Sequence, residues 1–201
     1  MVAYKETPGV HTQRRWSYGQ RVWSLLTVVI CVGSLAILGC GGDDDDDTRQ
    51  LSANLTGAQE VPPVNTSAAG TATLRINEEQ TQIDFTLTVS TVPQTPIREA
   101  HLHIAPAGVN GPIVLDFCTT SLVNPPANVP LPPTCPPAPF TLTGSLTTLN
   151  LRTLTSQQIQ ATGVNSFADA VNQILAGNAY ANVHTETFRG GEIRGQLIVQ
   201  Q

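Results

Sequence analysis

The sequence predicts an all-β fold, an antiparallel sandwich or barrel with one short helix inserted near residues 166–176. Three observations lead there. Ile83, Phe85, Leu87 and Val89 alternate with Asp84, Thr86 and Thr88, the two-residue period of a strand with one buried face. Short segments rich in Thr and Val recur along the chain, and Gly and Pro separate them at turn spacing. One stretch departs from this pattern: Phe167, Ala170, Val171, Ile174 and Leu175 recur at helical spacing.

The elements follow in order. Residues 1–39 read as a leader. Arg14, Arg15 and Arg21 form a positive flank, an apolar run covers 22–38, and small residues close it at Gly39-Cys40-Gly41-Gly42. That run of 17 residues is short for a membrane span, which takes about 20. Ile37-Leu38-Gly39-Cys40 resembles the lipobox of bacterial lipoprotein precursors, in which the Cys is acylated and becomes the mature N-terminus. Residues 40–49 contain five successive acids, Asp43 to Asp47, which repel one another and stay solvated, so they read as a flexible tether. The resulting expectation is an exported, lipid-anchored protein of the cell envelope, periplasmic or cell-surface, that touches the membrane through its N-terminal lipid.

Residues 50–201 form the folded domain. Strands are expected near 51–56, 71–76, 83–89, 100–104, 113–117, 140–147, 180–185 and 192–199. Asn165 or Ser166 caps the helix start, and Gly177 suits the left-handed position after its end. A shorter helical turn fits 156–160. There is no internal repeat and no sign of a second domain.

Without the leader, the chain carries six arginines, no lysine and 14 acids, a net charge of −8. A nucleic-acid surface needs clustered Lys and Arg, so that class of partner is excluded. Cys31 lies in the leader and Cys40 is the acylation site. Cys118 and Cys135 remain, and an even pair in an exported protein favours a disulfide. The segment between them is rich in Pro and Asn and cannot form regular ladders. A bridge closing it would contribute about 3 kcal/mol by loop entropy.

Three histidines remain after the leader. His101 and His103 are two apart on a predicted strand, so their side chains share a face, while Ala100, Leu102 and Ile104 take the core side. In the same way Tyr180, Asn182 and His184 share a face, as do Glu192, Arg194 and Gln196. If these strands are neighbours, His101, His103, His184, Asn182, Glu192 and Arg194 gather on one outward polar patch. Two roles fit the histidines. Three imidazoles can hold copper or zinc, or they can bond to loops and pair with Glu192 or Asp116; spacing alone favours the second. Glu60 and Glu192 could form an acid pair, but no spacing rule supports one. The chain has no nucleophile elbow, zincin helix or phosphate loop.

Three motifs carry a resemblance. Residues 55–64 (LTGAQEVPPV), 100–104 with 108–114 (AHLHI, GVNGPIV) and 177–185 with 191–197 (GNAYANVHT, GEIRGQL) resemble the opening, central and closing motifs of the CHRD domain, first named in chordin. The resemblance spans roughly 50–200 and implies an immunoglobulin-like β-sandwich or barrel with a limited likeness to copper/zinc superoxide dismutases. On that likeness, copper would sit on His101, His103 and His184, with Arg194 beside it. The dismutase's bridging histidine and zinc ligands have no counterpart here, so a full dismutase site cannot be built. The favoured expectation is a non-catalytic cell-envelope binding or structural module. One alternative is a copper-binding, dismutase-like redox protein. The other is a matrix or adhesion component that binds protein or polysaccharide.

Overall fold

The structure is a computed structural model that describes residues 48–91, 95–120 and 130–200. The leader, Cys40 and the acidic run lie outside these residues, as does much of the Pro-rich segment between Cys118 and Cys135. Among the described residues, no helix is long and apolar enough to cross a membrane.

Among the described residues nine strands form the frame of the domain: β1 Arg49–Thr56, β2 Ala69–Ile76, β3 Ile83–Thr91, β4 Ile97–Ile104, β5 Ile113–Thr119, β6 Phe140–Leu146, β7 Ala179–Thr185, β8 Ile193–Gln196 and β9 Ile198–Val199. They join one antiparallel sheet in the order β5-β4-β7-β8-β1-β2-β3-β6, with β9 also paired to β1. This sheet curls into a nearly closed barrel. The sequence had left sandwich and barrel both open.

Alternation sets the inside and outside of the β1-β2-β3 half. Leu74 pairs with Phe85 and Ala72 with Leu87, all buried, while Thr73 and Thr86 stand opposite each other on the outer face. A one-residue slip would put Asp84 and Arg75 into the core, so the apolar set fixes the register. The core continues through Leu51, Leu55, Leu102 and Phe117. Filling it is the main favourable term, at about 25 cal/mol for each Å² of apolar surface removed from water.

The expected strand at 192–199 is divided at Leu197. The Leu197 amide donates to the Ala179 carbonyl, while Ile198 and Val199 pair with Ser52 and Leu51. Gly195 lets this strand approach β1, because a Cβ there would run into the Asn54 carbonyl oxygen. Two helices rather than one precede β7. The first, α1 (Ser156–Thr162), extends the turn expected at 156–160 and begins in a capping box between Thr155 and Gln158. The expected helix is α2 (Phe167–Leu175): Ser166 accepts from the Asp169 amide, and Phe167, Ala170, Val171 and Ile174 are buried. Gly177 follows at φ +78°. Cys118 and Cys135 are joined by a disulfide.

Candidate metal centre

Strand pairing assembles the polar face row by row. His101 of β4 lies opposite Asn182 of β7, which lies opposite Arg194 of β8. One step along, His103 faces Tyr180 and Tyr180 faces Gln196. His184 lies opposite Glu99. The expected grouping of His101, His103, His184, Asn182 and Arg194 is therefore present, and Glu192 precedes β8 beside them.

The expected outward patch is not. His101 is 0% exposed, His184 6%, Glu192 1% and Arg194 2%. Three loops explain the difference. Residues 57–68 contribute Glu60 and Thr66, residues 105–112 lay their backbone against His103 and Arg194, and residues 186–191 do so against His184. Alternation reports which side chains share a face and cannot report that loops cover it.

The imidazoles converge. The ring centroids of His101 lie 4.5 Å from those of His184 and 4.9 Å from those of His103. One ligand nitrogen from each lies within 4.8 Å of the others. His103 Nδ1 is 2.7 Å from the Gly111 carbonyl oxygen, and His184 Nδ1 is 2.8 Å from that of Arg189. A carbonyl only accepts, so each Nδ1 carries the proton and each Nε2 is left as a bare lone pair. Both Nε2 atoms are buried without a partner, as are both nitrogens of His101. Glu99 comes within 3.9 Å of His101 Nε2, too far for a hydrogen bond.

The carboxylates expected to pair with these rings are engaged elsewhere. Asp116 takes a two-point contact from Arg152 at 2.7 Å, and Glu192 accepts from Thr66 at 2.7 Å and Thr185 at 2.6 Å. The rings are held neutral. Burial lowers all three pKa values, to about 4 for His103 and well below the usual value for His101, where the neighbouring imidazoles add to the effect. Burial also lowers the His184 value, opposed by its carbonyl partner.

These residues fit a transition-metal ion. Tetrahedral zinc–nitrogen bonds of about 2.0–2.1 Å place ligand nitrogens about 3.3–3.4 Å apart, so the cluster, whose nitrogens lie within 4.8 Å of one another, closes by up to about 1.5 Å around an ion. A ligating histidine usually donates its other ring proton to a carbonyl or carboxylate, which fixes the tautomer, and His103 and His184 are already held in that way.

With this geometry in place, comparison with known families is decisive. Residues 51–197 match the CHRD domain. The chain belongs to the CHRD domain family. No curated protein and no solved structure matches it.

The three sequence segments that carry the resemblance meet at this site. The opening segment brings Glu60, the central segment brings His101, His103, Asn110 and Gly111, and the closing segment brings Tyr180, Asn182, His184 and Arg194. Periodicity did not single out Asn110 or Gly111, which lie on a loop. Tyr180 was visible only as a member of the polar face. Its ring stacks on His103 at 4.6 Å and 3°, and Arg194 lies over the same ring.

Proposed function

We propose that this CHRD domain is a non-catalytic binding module of the cell envelope whose ligand is one copper or zinc ion held by His101, His103 and His184. The observation that carries the reading is the set of buried imidazole nitrogens that lack a hydrogen-bond partner, one from each ring within 4.8 Å of the others. Leaving such groups unpaired costs about 1–3 kcal/mol each, and a cation offsets that cost. Neutral imidazoles suit both zinc and copper. Bound copper would supply one-electron redox chemistry, and bound zinc a Lewis acid.

Binding is favoured over dismutase-like turnover by the state of Arg194. Its guanidinium is committed to the Asn110 side chain and the Val109 carbonyl and is nearly fully buried, so it is not presented to an arriving anion. A protein or polysaccharide partner finds less support. The large apolar side chains exposed among the described residues are Val109, Leu131, Leu149 and the adjacent Ile198 and Val199, with no aromatic ring among them. The leader, Cys40 and the acidic tether support placement at a membrane surface.

Metal analysis of the full chain, purified after exposure to copper or zinc and dialysis, tests the reading. One ion per chain is expected, and none in His184→Ala. A wild-type protein that retains no metal, and whose thermal stability neither ion changes, would overturn the assignment.

A further inference from the structure

A second group of buried polar atoms, beside the histidines, lacks a donor. Glu60 follows the short turn after β1 and is 5% exposed. Its Oε2 lies 3.5 Å from Asn182 Nδ2, the outer limit of a hydrogen bond, and its Oε1 is buried without a partner. Asn182 Oδ1 is buried without a partner as well. Both orphaned oxygens lie 2.7 Å from the point that a Cβ on Gly191 would occupy. Gly191 has φ +121°, a conformation that L side chains rarely adopt, so this spot stays open to them.

Both oxygens therefore border one spot, which Asn182 Nδ2 also approaches at 2.8 Å, and neither takes a hydrogen bond there. Leaving two neighbouring buried acceptors unpaired is unfavourable in a low-dielectric interior unless one of them carries a proton. An amide oxygen cannot hold one at neutral pH, whereas a carboxyl can. The surrounding groups do not supply the missing donor. Arg194 of β8 donates to Asn110 and Val109, Glu192 is satisfied by Thr66 and Thr185, and the Tyr180 hydroxyl is placed at the Gly111 amide. Burial pushes the Glu60 carboxyl up to about 7, against the opposing pull of Arg194 and Asn182. Asn182, the residue nearest the Glu60 carboxyl, lies opposite His101 and two residues before His184 in β7, so the acid and the histidine cluster adjoin.

We propose that Glu60 is a proton site linked to the three-histidine centre: its carboxyl carries a proton in the metal-free domain and releases it to solvent when a divalent cation enters. This rests on the three-histidine reading. The O–H bond of the carboxyl is the only bond broken. The cation brings two positive charges and the proton takes one away, so the domain's charge rises by one. Positive charge arriving nearby favours the carboxylate over the acid, which couples the two events.

The test uses the full chain and zinc. Calorimetric titration at pH 7 in two buffers of different ionisation enthalpy gives the number of protons released per ion. Wild-type protein should release about half a proton more than Glu60→Gln, because a group with a pKa of about 7 is half protonated there. Equal release from both proteins overturns the linkage. Infrared spectroscopy of the wild type gives a second reading that needs no variant: a buried carboxylic-acid band should be present without metal and fade on adding zinc. A band that zinc leaves unchanged, in protein that binds zinc, also overturns the linkage. Wild-type protein that shows the band but takes up no zinc overturns the three-histidine reading and the linkage with it, while leaving Glu60 a buried acid. The two failures are thereby distinguished.

Discussion

The guanidinium carbon of Arg194 lies 3.4 Å from the centre of the Tyr180 ring, and that same ring stacks on His103. Arg194 is thus a structural neighbour of the histidine centre, set by two hydrogen bonds and a close cation–ring contact. Lysine cannot reproduce this, since its ammonium is a point charge without a planar fork. Arg194→Lys is expected to cost about 1–3 kcal/mol in urea unfolding. A change below about 0.5 kcal/mol, the range of ordinary surface substitutions, would show that the ring contact and fork contribute little.

The carbonyl partners of His103 and His184 predict their tautomers. Nitrogen NMR of the metal-free protein at pH 7 should show both rings protonated on Nδ1, with Nε2 unprotonated. Zinc should then shift the Nε2 resonances and leave the Nδ1 protons in place. Protonated Nε2 atoms would mean that the rings are arranged for a role other than metal ligation.

Stability should depend on pH with a definite sign. The histidine pKa values are depressed in the fold, so below about 6.5 the unfolded chain binds protons that the native rings refuse. Their contribution is complete above that range. It is lost as pH falls from about 6.5 toward about 4, where His103 itself titrates. Glu60 acts in the opposite sense: its raised pKa makes its contribution largest below about 4.5 and removes it as pH rises through about 7. Three histidines outweigh one acid, so unfolding midpoints in urea should rise between pH 5 and 6.5. Glu60→Gln should steepen that rise, and a midpoint that falls over this interval would contradict the assignment.

Much of this arrangement was legible in the sequence, and the reason can be seen in β4. The alternation of Ala100, Leu102 and Ile104 with His101 and His103 fixed both the strand and the shared face of the two rings, because strand periodicity is a local property. A helix cap at Asn165 or Ser166 was legible for the same kind of reason and falls on Ser166, while the Cys118–Cys135 bridge was legible as the even pair left outside the leader. Burial of the face was not. It depends on where the 57–68, 105–112 and 186–191 segments lie, and loop placement follows from contacts distant in sequence. Glu60 is the clearest case: it stands 122 residues from Asn182, and no spacing rule joins them. The break at Leu197 also escaped periodicity, since its amide turns to Ala179 while its apolar side chain keeps the alternation.

The three residues Val109, Asn110 and Gly111 reach four separate places at once. Val109 and Asn110 hold Arg194, Asn110 also donates to the Val61 carbonyl, and Gly111 meets both His103 and the Tyr180 hydroxyl. This tripeptide works as a clasp between the opening and closing thirds of the chain, and most of its contacts are made by backbone or by one amide. Lengthening the loop by a residue here would unfasten the histidine's orientation, the arginine's seat and the Glu60 segment together. The same insertion in the turn between β2 and β3 would be felt only by its own hairpin.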